Sequence, residues 1–230
     1  MTESESRMGV IFDLDGVLVD TGWAHKQAWY DLAEKEGISM TDDFFYSTFG
    51  MQNYMIIPML LGRDAASNEI NRLSDWKEKR YRKIIAEKLE PAEGAKALLE
   101  ALKSENFLLA VGSSAPGANL DLVLASTGLQ EHFDAYVSGE DVTNGKPAPD
   151  TFLKAAEKLS LSADQCVVVE DAVQGVEAGK AAGMPVVAVT TTRSRADLHK
   201  ADIIIDSLAE LQARQFVDLL RNQEKTANQG

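Results

Sequence analysis

The sequence predicts an α/β protein whose core is a doubly wound parallel sheet. From residue 91 onward, short apolar runs alternate with helical patterns, as expected where helices cover both faces of a sheet. The runs are continuously apolar rather than alternating, which indicates strands that are buried on both faces. No run between residues 22 and 88 has the pattern of a strand, so this block is expected to be entirely helical.

These patterns divide the chain into two domains. Residues 1–20 and 91–230 form the predicted Rossmann-like core, and residues 21–90 form an all-helical insertion after the first strand. Strands are expected at 9–12, 107–111, 136–138, 165–169, 185–189 and 202–205. The longer helices are expected at 21–36, 65–88, 95–104, 117–126, 150–159, 172–182 and 208–220, with fraying after about Arg221.

The charge of the chain restricts its partners. The formal net charge of −13 argues against a surface for nucleic acid or for an anionic membrane, since both need clustered Lys and Arg. If the substrate is itself an anion, the excess negative charge must be overcome locally by a metal ion or by a few placed cations.

The cysteine content and the termini favour a cytoplasmic protein. Cys166 is the one cysteine, so no intrachain disulfide can form, and its apolar surroundings predict a small buried hydrophobe. Residues 1–7 are polar and lack the apolar segment of a signal peptide. No stretch approaches the roughly 18 apolar residues of a membrane helix.

The first strand ends in two aspartates. Asp13 and Asp15 follow the apolar run 9–12, and Gly16 permits the turn after them. In an open α/β sheet ligands bind outside the carboxyl ends of the strands, and buried carboxylates are expected to be paired or metal-bound. The stretch therefore points to a site, although two Asp and a Gly also make an ordinary polar turn.

Three further strands also end in polar residues. Ser113 and Ser114 follow the second strand, Lys146 follows the third, and Glu170 with Asp171 follows the fourth. Each has an ordinary alternative, because serines cap helices, lysines are usually solvated and acids stabilise helix starts. Their convergence on one edge of one sheet favours a shared site.

This combination resembles the haloacid dehalogenase superfamily of phosphotransferases, in the branch of β-phosphoglucomutase and related sugar-phosphate phosphatases. Four stretches look like the family's four motifs, in order and in the expected strand context. They are Phe12-Asp13-Leu14-Asp15-Gly16, Ser113, Lys146 within Gly-Lys-Pro-Ala-Pro-Asp, and Glu170-Asp171. The resemblance covers essentially the whole chain, and the helical insertion is similar to the family's mobile helical cap.

The resemblance implies a role for each motif residue. Asp13 would be the nucleophile that attacks phosphorus, and Asp15 would be the general acid and then the base. Ser113 would hydrogen-bond the transferring phosphoryl group, and Lys146 would neutralise its charge. Backbone N–H groups near Ser114 would add to this binding.

The resemblance also implies a magnesium ion. Mg²⁺ would be held by the Asp13 carboxylate, the Asp15 main-chain carbonyl and Asp171, because hard oxygen ligands suit this ion. Glu170 would support the metal through a water molecule.

Three residues of the insertion are further candidates for contact with the substrate. His25 lies, with Trp29, at positions that resemble those of the mutases, where the histidine positions the acid/base, although an isolated histidine more often only packs. Asn53 stands where the mutases place an arginine that clamps a second phosphate, and an amide does not replace a guanidinium there. Lys83 can face the site or be a solvated helix charge.

These observations predict a Mg²⁺-dependent phosphatase that acts on a small phosphorylated metabolite, a sugar or polyol phosphate, as a monomer. The alternative is a β-phosphoglucomutase, which needs a second anion site, and the loop after Ser114 lacks the Lys and Asn expected for one. A non-catalytic protein that binds a phosphorylated metabolite is a more distant alternative. A dehalogenase is disfavoured because the phosphotransfer motifs are intact.

Overall fold

The computed structural model describes residues 7–86 and 89–227 of the chain. The predicted helix end at Lys88 lies outside the described residues, as do the polar segment before Arg7 and the last three residues of the predicted frayed terminus.

The core is one sheet of six parallel strands. The strands are β1 (Gly9–Phe12), β2 (Leu108–Gly112), β3 (Ala135–Val137), β4 (Cys166–Glu170), β5 (Val186–Val189) and β6 (Ile203–Ile205). Their order in the sheet is β3-β2-β1-β4-β5-β6, and every neighbouring pair is parallel. The predicted doubly wound α/β fold is therefore confirmed.

Successive side chains of each strand enter two different apolar cores, one on each face of the sheet. On β1, Val10 and Phe12 belong to one core and Ile11 belongs to the other. Because side chains alternate across a strand, both faces of the strand must be apolar when helices cover both. This is why the strands appear in the sequence as unbroken apolar runs.

Five helices cover the two faces of the sheet. They are α5 (Ala95–Ser104), α6 (Gly117–Thr127), α7 (Asp150–Lys158), α8 (Val173–Ala181) and α9 (Ala213–Ala227). Leu98, Leu120 and Phe216 bring α5, α6 and α9 to one core, whereas Phe152 and Val176 bring α7 and α8 to the other.

The helical insertion has an apolar core of its own. Residues 22–86 contain four helices and no strand. The helices are α1 (Gly22–Lys35), α2 (Asp42–Thr48), α3 (Asn53–Leu61) and α4 (Ser67–Ile85). We call residues 22–86 the cap. Trp29, Leu32, Phe45, Ile57 and Leu73 are among the buried side chains that hold it together. On this basis we propose the division into a cap domain at 21–90 and a core domain.

The prediction for the C-terminal helix is wrong at both ends. A 3₁₀ turn occupies Leu208–Glu210, where Ser207 and Glu210 form a capping box, and α9 begins only at Ala213. The helix then continues to Ala227 instead of fraying after Arg221. Burial of Phe216 and Leu220 anchors it to the sheet.

The strand order places the carboxyl ends of β1 and β4 at the centre of the sheet. The chain moves outward from β1 to β2 and β3, and then crosses to β4 on the other side of β1. Ligands in such sheets bind at this reversal, outside the carboxyl ends of the strands. The main-chain N–H of Asp13 donates to the carbonyl of Val169 at 2.9 Å, which fixes the two strand ends side by side.

Cys166 on β4 is fully buried, and burial raises the pKa of its thiol to about 12, so it is a core residue, as predicted.

Every helix in the described part of the chain is too short or too polar to cross a bilayer.

Candidate active site

The six motif residues meet at the carboxyl edge of the sheet, and all of them are buried. They are Asp13, Asp15, Ser113, Lys146, Glu170 and Asp171. The ends of β1, β2 and β4 and the loop after β3 supply them. The structure therefore brings together the residues that the strand ends predict, and their partners show what each can do.

Lys146 is the buried cation of the site. Its Nζ lies 2.5 Å from Asp13 Oδ1 and 2.7 Å from Glu170 Oε1, and it donates to the carbonyl of Gly112 at 3.0 Å. Burial lowers the pKa of this ammonium, but the two carboxylates outweigh burial and hold the pKa above its usual range. Lys146 therefore stays charged beside Asp13.

Asp13 lies between this cation and two further acids. Burial raises the pKa of the Asp13 carboxyl to about 7, although Lys146 opposes the shift, and the charges of Glu170 and Asp15 add to it. Any additional positive charge placed against this carboxyl would stabilise its ionised form and lower its pKa.

Glu170 uses both of its oxygens on protein groups. Oε1 accepts from Lys146, and Oε2 accepts from the main-chain N–H groups of Asp171 and Ala172 at 2.7 and 2.8 Å. Gly175 on α8 makes room for this carboxylate, because a Cβ there would lie 1.7 Å from Oε1. Glu170 thus fixes both the lysine and the start of the loop that carries Asp171.

Three carboxylates form a cluster that fits a cation. Asp13, Glu170 and Asp171 offer oxygens that all lie within 4.8 Å of one another. Burial raises the pKa of Asp171 well above its usual range, and the negative charges of Glu170 and Asp13 add to the shift. One ammonium does not balance three buried acids, and an all-oxygen donor set suits a hard divalent ion. The cluster can therefore bind a metal.

The loop after β5 orients Asp171. Thr192 donates its hydroxyl to Asp171 Oδ2 at 2.5 Å, and Thr191 donates to the carbonyl of Gly16. Gly16 has a φ of +89°, and a Cβ there would lie 2.0 Å from Asp171 Oδ2, so glycine is required on both counts.

The carboxylate of Asp15 is turned toward the cap. Its Oδ1 accepts hydrogen bonds from the hydroxyls of Thr21 and of Tyr81, the latter at 3.0 Å, and lies 3.2 Å from His25 Nε2. Burial raises the pKa of Asp15, but His25 and the two hydroxyls outweigh burial and lower the pKa to about 2. Asp15 is therefore ionised in this closed arrangement.

His25 links Asp15 to Lys77 on α4. Its Nδ1 lies 2.8 Å from Lys77 Nζ, and its ring stacks on Tyr81 with centroids 3.8 Å apart. An ammonium can only donate, so Nδ1 is the acceptor and the ring proton lies on Nε2, which faces Asp15. The predicted association of His25 with the acid/base residue thus has a direct geometric basis.

The two serines after β2 have different partners. Ser113 Oγ accepts from the main-chain N–H of Ala115 at 3.0 Å and stays buried in the site. Ser114 donates to the carbonyl of Gly50 at 2.8 Å, so its hydroxyl joins the core to the cap. A substrate contact by Ser114 would come from its backbone, as the sequence suggests.

Asn53 reaches the site, but its amide is engaged with other cap residues. Its Nδ2 donates to Glu78 Oε1 at 2.7 Å and to Ser74 Oγ at 2.8 Å, while its side chain lines the central cavity. Its prediction as a substrate contact therefore stays a prediction.

The structure corrects the prediction for Lys83. This residue is exposed on α4 and does not line the cavity, whereas Lys77 on the same helix does. Six helical residues turn through about 600°, so the two lysines point in directions about 120° apart. A sequence of alternating charges does not reveal which lysine of the helix faces inward.

Several residues of the site were not predicted from the sequence. Thr192 follows the end of β5, and the rule that polar residues at strand ends mark a site would have found it. No such signal marks the cap residues Lys77, Glu78 and Tyr81, because the charged pattern of α4 suggests a solvated helix. The core residue Asn119 is also unmarked, because it lies within α6 and not at the end of a strand.

A narrow cavity lies between the core and the cap. The core wall includes Asp13, Asp15, Ser113 and Asp171, and the cap wall includes His25, Trp29, Asn53, Ile56, Lys77 and Glu78. Its volume of about 60 Å³ has room for a few water molecules. A larger substrate needs additional space, which movement of the cap away from the core would provide.

Known proteins resemble this chain over most of its length. A family model described as haloacid dehalogenase-like hydrolase matches residues 10–189. The fructose-1-phosphate phosphatase YqaB of Escherichia coli is 33% identical over 187 residues, which cover 80% of this chain and 97% of that protein. The β-phosphoglucomutase of Mycobacterium bovis is 32% identical over 237 residues, covering 87% of this chain and 90% of that protein.

Solved structures give the same result. The crystal structure of a β-phosphoglucomutase from Clostridium difficile superposes with a TM-score of 0.85 at 28% sequence identity. The match covers 94% of this chain and 98% of that chain, so it includes both the sheet and the cap.

The buried Glu78 generates a prediction about pH. Burial raises its pKa, but Lys77, His25 and Asn53 outweigh burial and lower the pKa to about 2, below the usual 4.5. A depressed pKa means that the stabilisation by Glu78 is complete above about pH 4.5 and is lost as the pH falls toward 2. The difference in unfolding free energy between wild type and Glu78→Gln should be constant at neutral pH and shrink below about pH 4.5.

Urea unfolding measured at a series of pH values checks this prediction. Asp75→Asn removes the same charge from the exposed side of α4 and is the matched control. A wild-type to Glu78→Gln difference that stays unchanged down to pH 3 would contradict the depressed pKa.

Proposed function

The chain belongs to the haloacid dehalogenase-like hydrolases, and on that premise we propose that it is a Mg²⁺-dependent phosphatase acting on a sugar or polyol phosphate through a phospho-aspartate. The observation that carries this proposal is the buried Asp13–Lys146 pair beside the carboxylate cluster, at the cavity between the core and the cap. That arrangement offers a nucleophile, a fixed positive charge and a cation site at one point.

Asp13 acts as the nucleophile in this proposal. Lys146 occupies its Oδ1 and leaves Oδ2 to attack phosphorus, which forms the phospho-aspartate and releases the alcohol. The hydroxyl of Ser113 holds a phosphoryl oxygen. The three N–H groups of Lys146 are taken by Asp13, Glu170 and the Gly112 carbonyl, so the lysine acts through its charge, which stabilises the negative charge of the phosphoryl oxygens.

Asp15 handles the protons. Thr21 and Tyr81 donate to Oδ1, and His25 Nε2 lies 3.2 Å from the same oxygen. Oδ2 is therefore the oxygen that gives a proton to the leaving alcohol and later takes one from water. The contacts on Oδ1 favour the ionised carboxylate, which is the form that accepts a proton from water. Losing contacts on Oδ1 as the cap moves would raise the pKa of Asp15 toward its usual value and favour the protonated form that the acid step needs.

We assign the carboxylate cluster to Mg²⁺. Asp13 and Asp171 would hold the ion with the main-chain carbonyl of Asp15, and Glu170 would act through a water molecule. Bound there, the ion would neutralise the phosphoryl group and the carboxylates together. Thr192 keeps Asp171 in place for this contact.

The second candidate is a β-phosphoglucomutase. Identity of 32% to the mutase of Mycobacterium bovis and the His25–Asp15 contact support it. We favour the phosphatase because the cap offers Asn53, with its amide engaged by Glu78 and Ser74, where a mutase needs a cation for a second phosphate.

The remaining expectations are kept as proposals. We propose a cytoplasmic monomer whose partner is a small phosphorylated metabolite and which binds neither nucleic acid nor membrane. The net charge of −13 supports the last two points.

A screen of phosphorylated sugars and polyols tests the proposed function. Release of inorganic phosphate should require Mg²⁺, and β-glucose 1-phosphate should give phosphate rather than glucose 6-phosphate. Asp13→Asn should lower activity by at least about a thousandfold, the scale seen when a nucleophile is removed. Asp20→Asn, an exposed carboxylate of the same segment, is the matched control and should leave activity unchanged.

Two results would go against this account. Efficient conversion of β-glucose 1-phosphate to glucose 6-phosphate would establish the mutase instead. If the protein binds phosphorylated ligands but releases phosphate from none of them, and if Asp13→Asn leaves that binding unchanged, the chain is a binding protein.

Thr192→Val gives a second prediction. Valine keeps the shape of threonine but removes the hydrogen bond to Asp171, so the affinity for Mg²⁺ should fall about tenfold, the lower end of the effect of removing such a supporting contact. Calorimetric titration with Mg²⁺ measures this change. Thr190→Val is the matched control, because the hydroxyl of Thr190 bonds Asp206 instead. Equal affinities in both variants would show that Thr192 does not support the metal ligand.

A further inference from the structure

We propose that Glu78 selects the substrate: it accepts a hydroxyl of an uncharged leaving alcohol and excludes esters that carry a second phosphate. This inference rests on the proposed phosphatase function and names the substrate class for that same site.

The two walls of the cavity divide a substrate into two parts. The phosphoryl group must lie against the core wall, because Asp13, Ser113 and Asp171 are there. The rest of the molecule must then face the cap wall, whatever the width of the opening when the cap moves. The side chains of the cap wall therefore meet the leaving alcohol and set which alcohols fit.

The cap wall offers no unpaired cation among the residues that line it. Lys77 is the one lysine or arginine in the described lining, and its Nζ is held by Glu78 Oε1 and His25 Nδ1, each at 2.8 Å. Trp29, Met51 and Ile56 supply apolar surface beside it. A second phosphate placed here would meet a carboxylate and a neutralised ammonium, and like-charge contacts in a desolvated site are strongly unfavourable.

Glu78 has room for one more donor. An ionised carboxylate can accept about four hydrogen bonds. Lys77 and Asn53 donate to Oε1, and Asn119 donates to Oε2 at 2.6 Å. One acceptor position on Oε2 is left, and a sugar or polyol hydroxyl is the neutral donor that fits it.

Core and cap both hold Glu78 in this place. Asn119 on α6 binds Oε2 from the core side and in turn accepts from Arg82 at 2.7 Å. The residue is only 4% exposed, and charge-assisted hydrogen bonds from two sides fix its position. A fixed carboxylate discriminates by charge more strongly than a mobile one, because it cannot turn away from an anion.

The test compares mono- and bisphosphates of the same sugar. The probes are fructose 1-phosphate against fructose 1,6-bisphosphate, and β-glucose 1-phosphate against β-glucose 1,6-bisphosphate, with phosphate release measured as kcat/KM. The wild type should prefer the monophosphate of a pair by at least about tenfold, with most of the difference in KM, because the charge acts on binding.

Two variants change the charge in different ways. Glu78→Gln removes the charge, and Asn53→Lys places an ammonium beside it. Each variant should therefore reduce the preference for the monophosphate at least about fivefold, by raising kcat/KM for the bisphosphate. Asp75→Asn, on the exposed side of the same helix, should leave the preference unchanged. Asn53→Lys decides the matter if Glu78→Gln fails to fold.

Each outcome has a defined meaning. Equal kcat/KM for both members of a pair in the wild type overturns the proposal, and so does an unchanged preference in a folded, active variant. Loss of activity toward both esters in both variants would make Glu78 a support for Lys77 alone and would also overturn it. A wild type that releases phosphate from no monophosphate, here or in the screen, contradicts the proposed function itself.

Discussion

Lys146 places one buried ammonium between the buried carboxylates of Asp13 and Glu170, and the catalytic edge depends on this contact. Removing one partner of a buried ion pair costs about 3–5 kcal/mol, because the other charge is left uncompensated. The two carboxylate partners of Lys146 come from β1 and β4, which adjoin at the centre of the sheet, and the lysine itself comes from the loop after β3. The site can therefore be buried only if the strand order and the path of the loop after β3 bring the lysine and both carboxylates together.

The cap is tied to this edge through Asp15. One oxygen of Asp15 accepts from Thr21, directly before α1, and from Tyr81 on α4, and it lies close to His25 on α1. Opening the cap must break some of these contacts, so the protonation of Asp15 and the position of the cap are coupled. Because the cavity between core and cap measures only about 60 Å³, we expect the cap to move as substrate enters and product leaves.

Most of the core could be predicted from the sequence, and the reason is the sheet. A strand buried on both faces needs an unbroken apolar run, so β1, β4 and β5 are visible before any folding is considered. The residues after each strand share one edge by geometry, which brings Asp13, Ser113 and Asp171 together. The cap wall follows no such rule. Lys77 and Lys83 look alike in the sequence, and only the packing of α4 on α1 decides which one faces the cavity.

The proposed mechanism requires that the carboxylate of Asp13, held by Lys146, attacks phosphorus. The direct test is to incubate the protein with Mg²⁺ and a sugar phosphate that it hydrolyses, quench the reaction rapidly with acid and analyse the peptides by mass spectrometry. A phosphoryl group should be found on the peptide that contains Asp13, at the position of that residue, and none should be found in Asp13→Asn. Turnover in the wild type with no phosphorylated peptide at any quench time, or with the phosphoryl group on another residue, would contradict it.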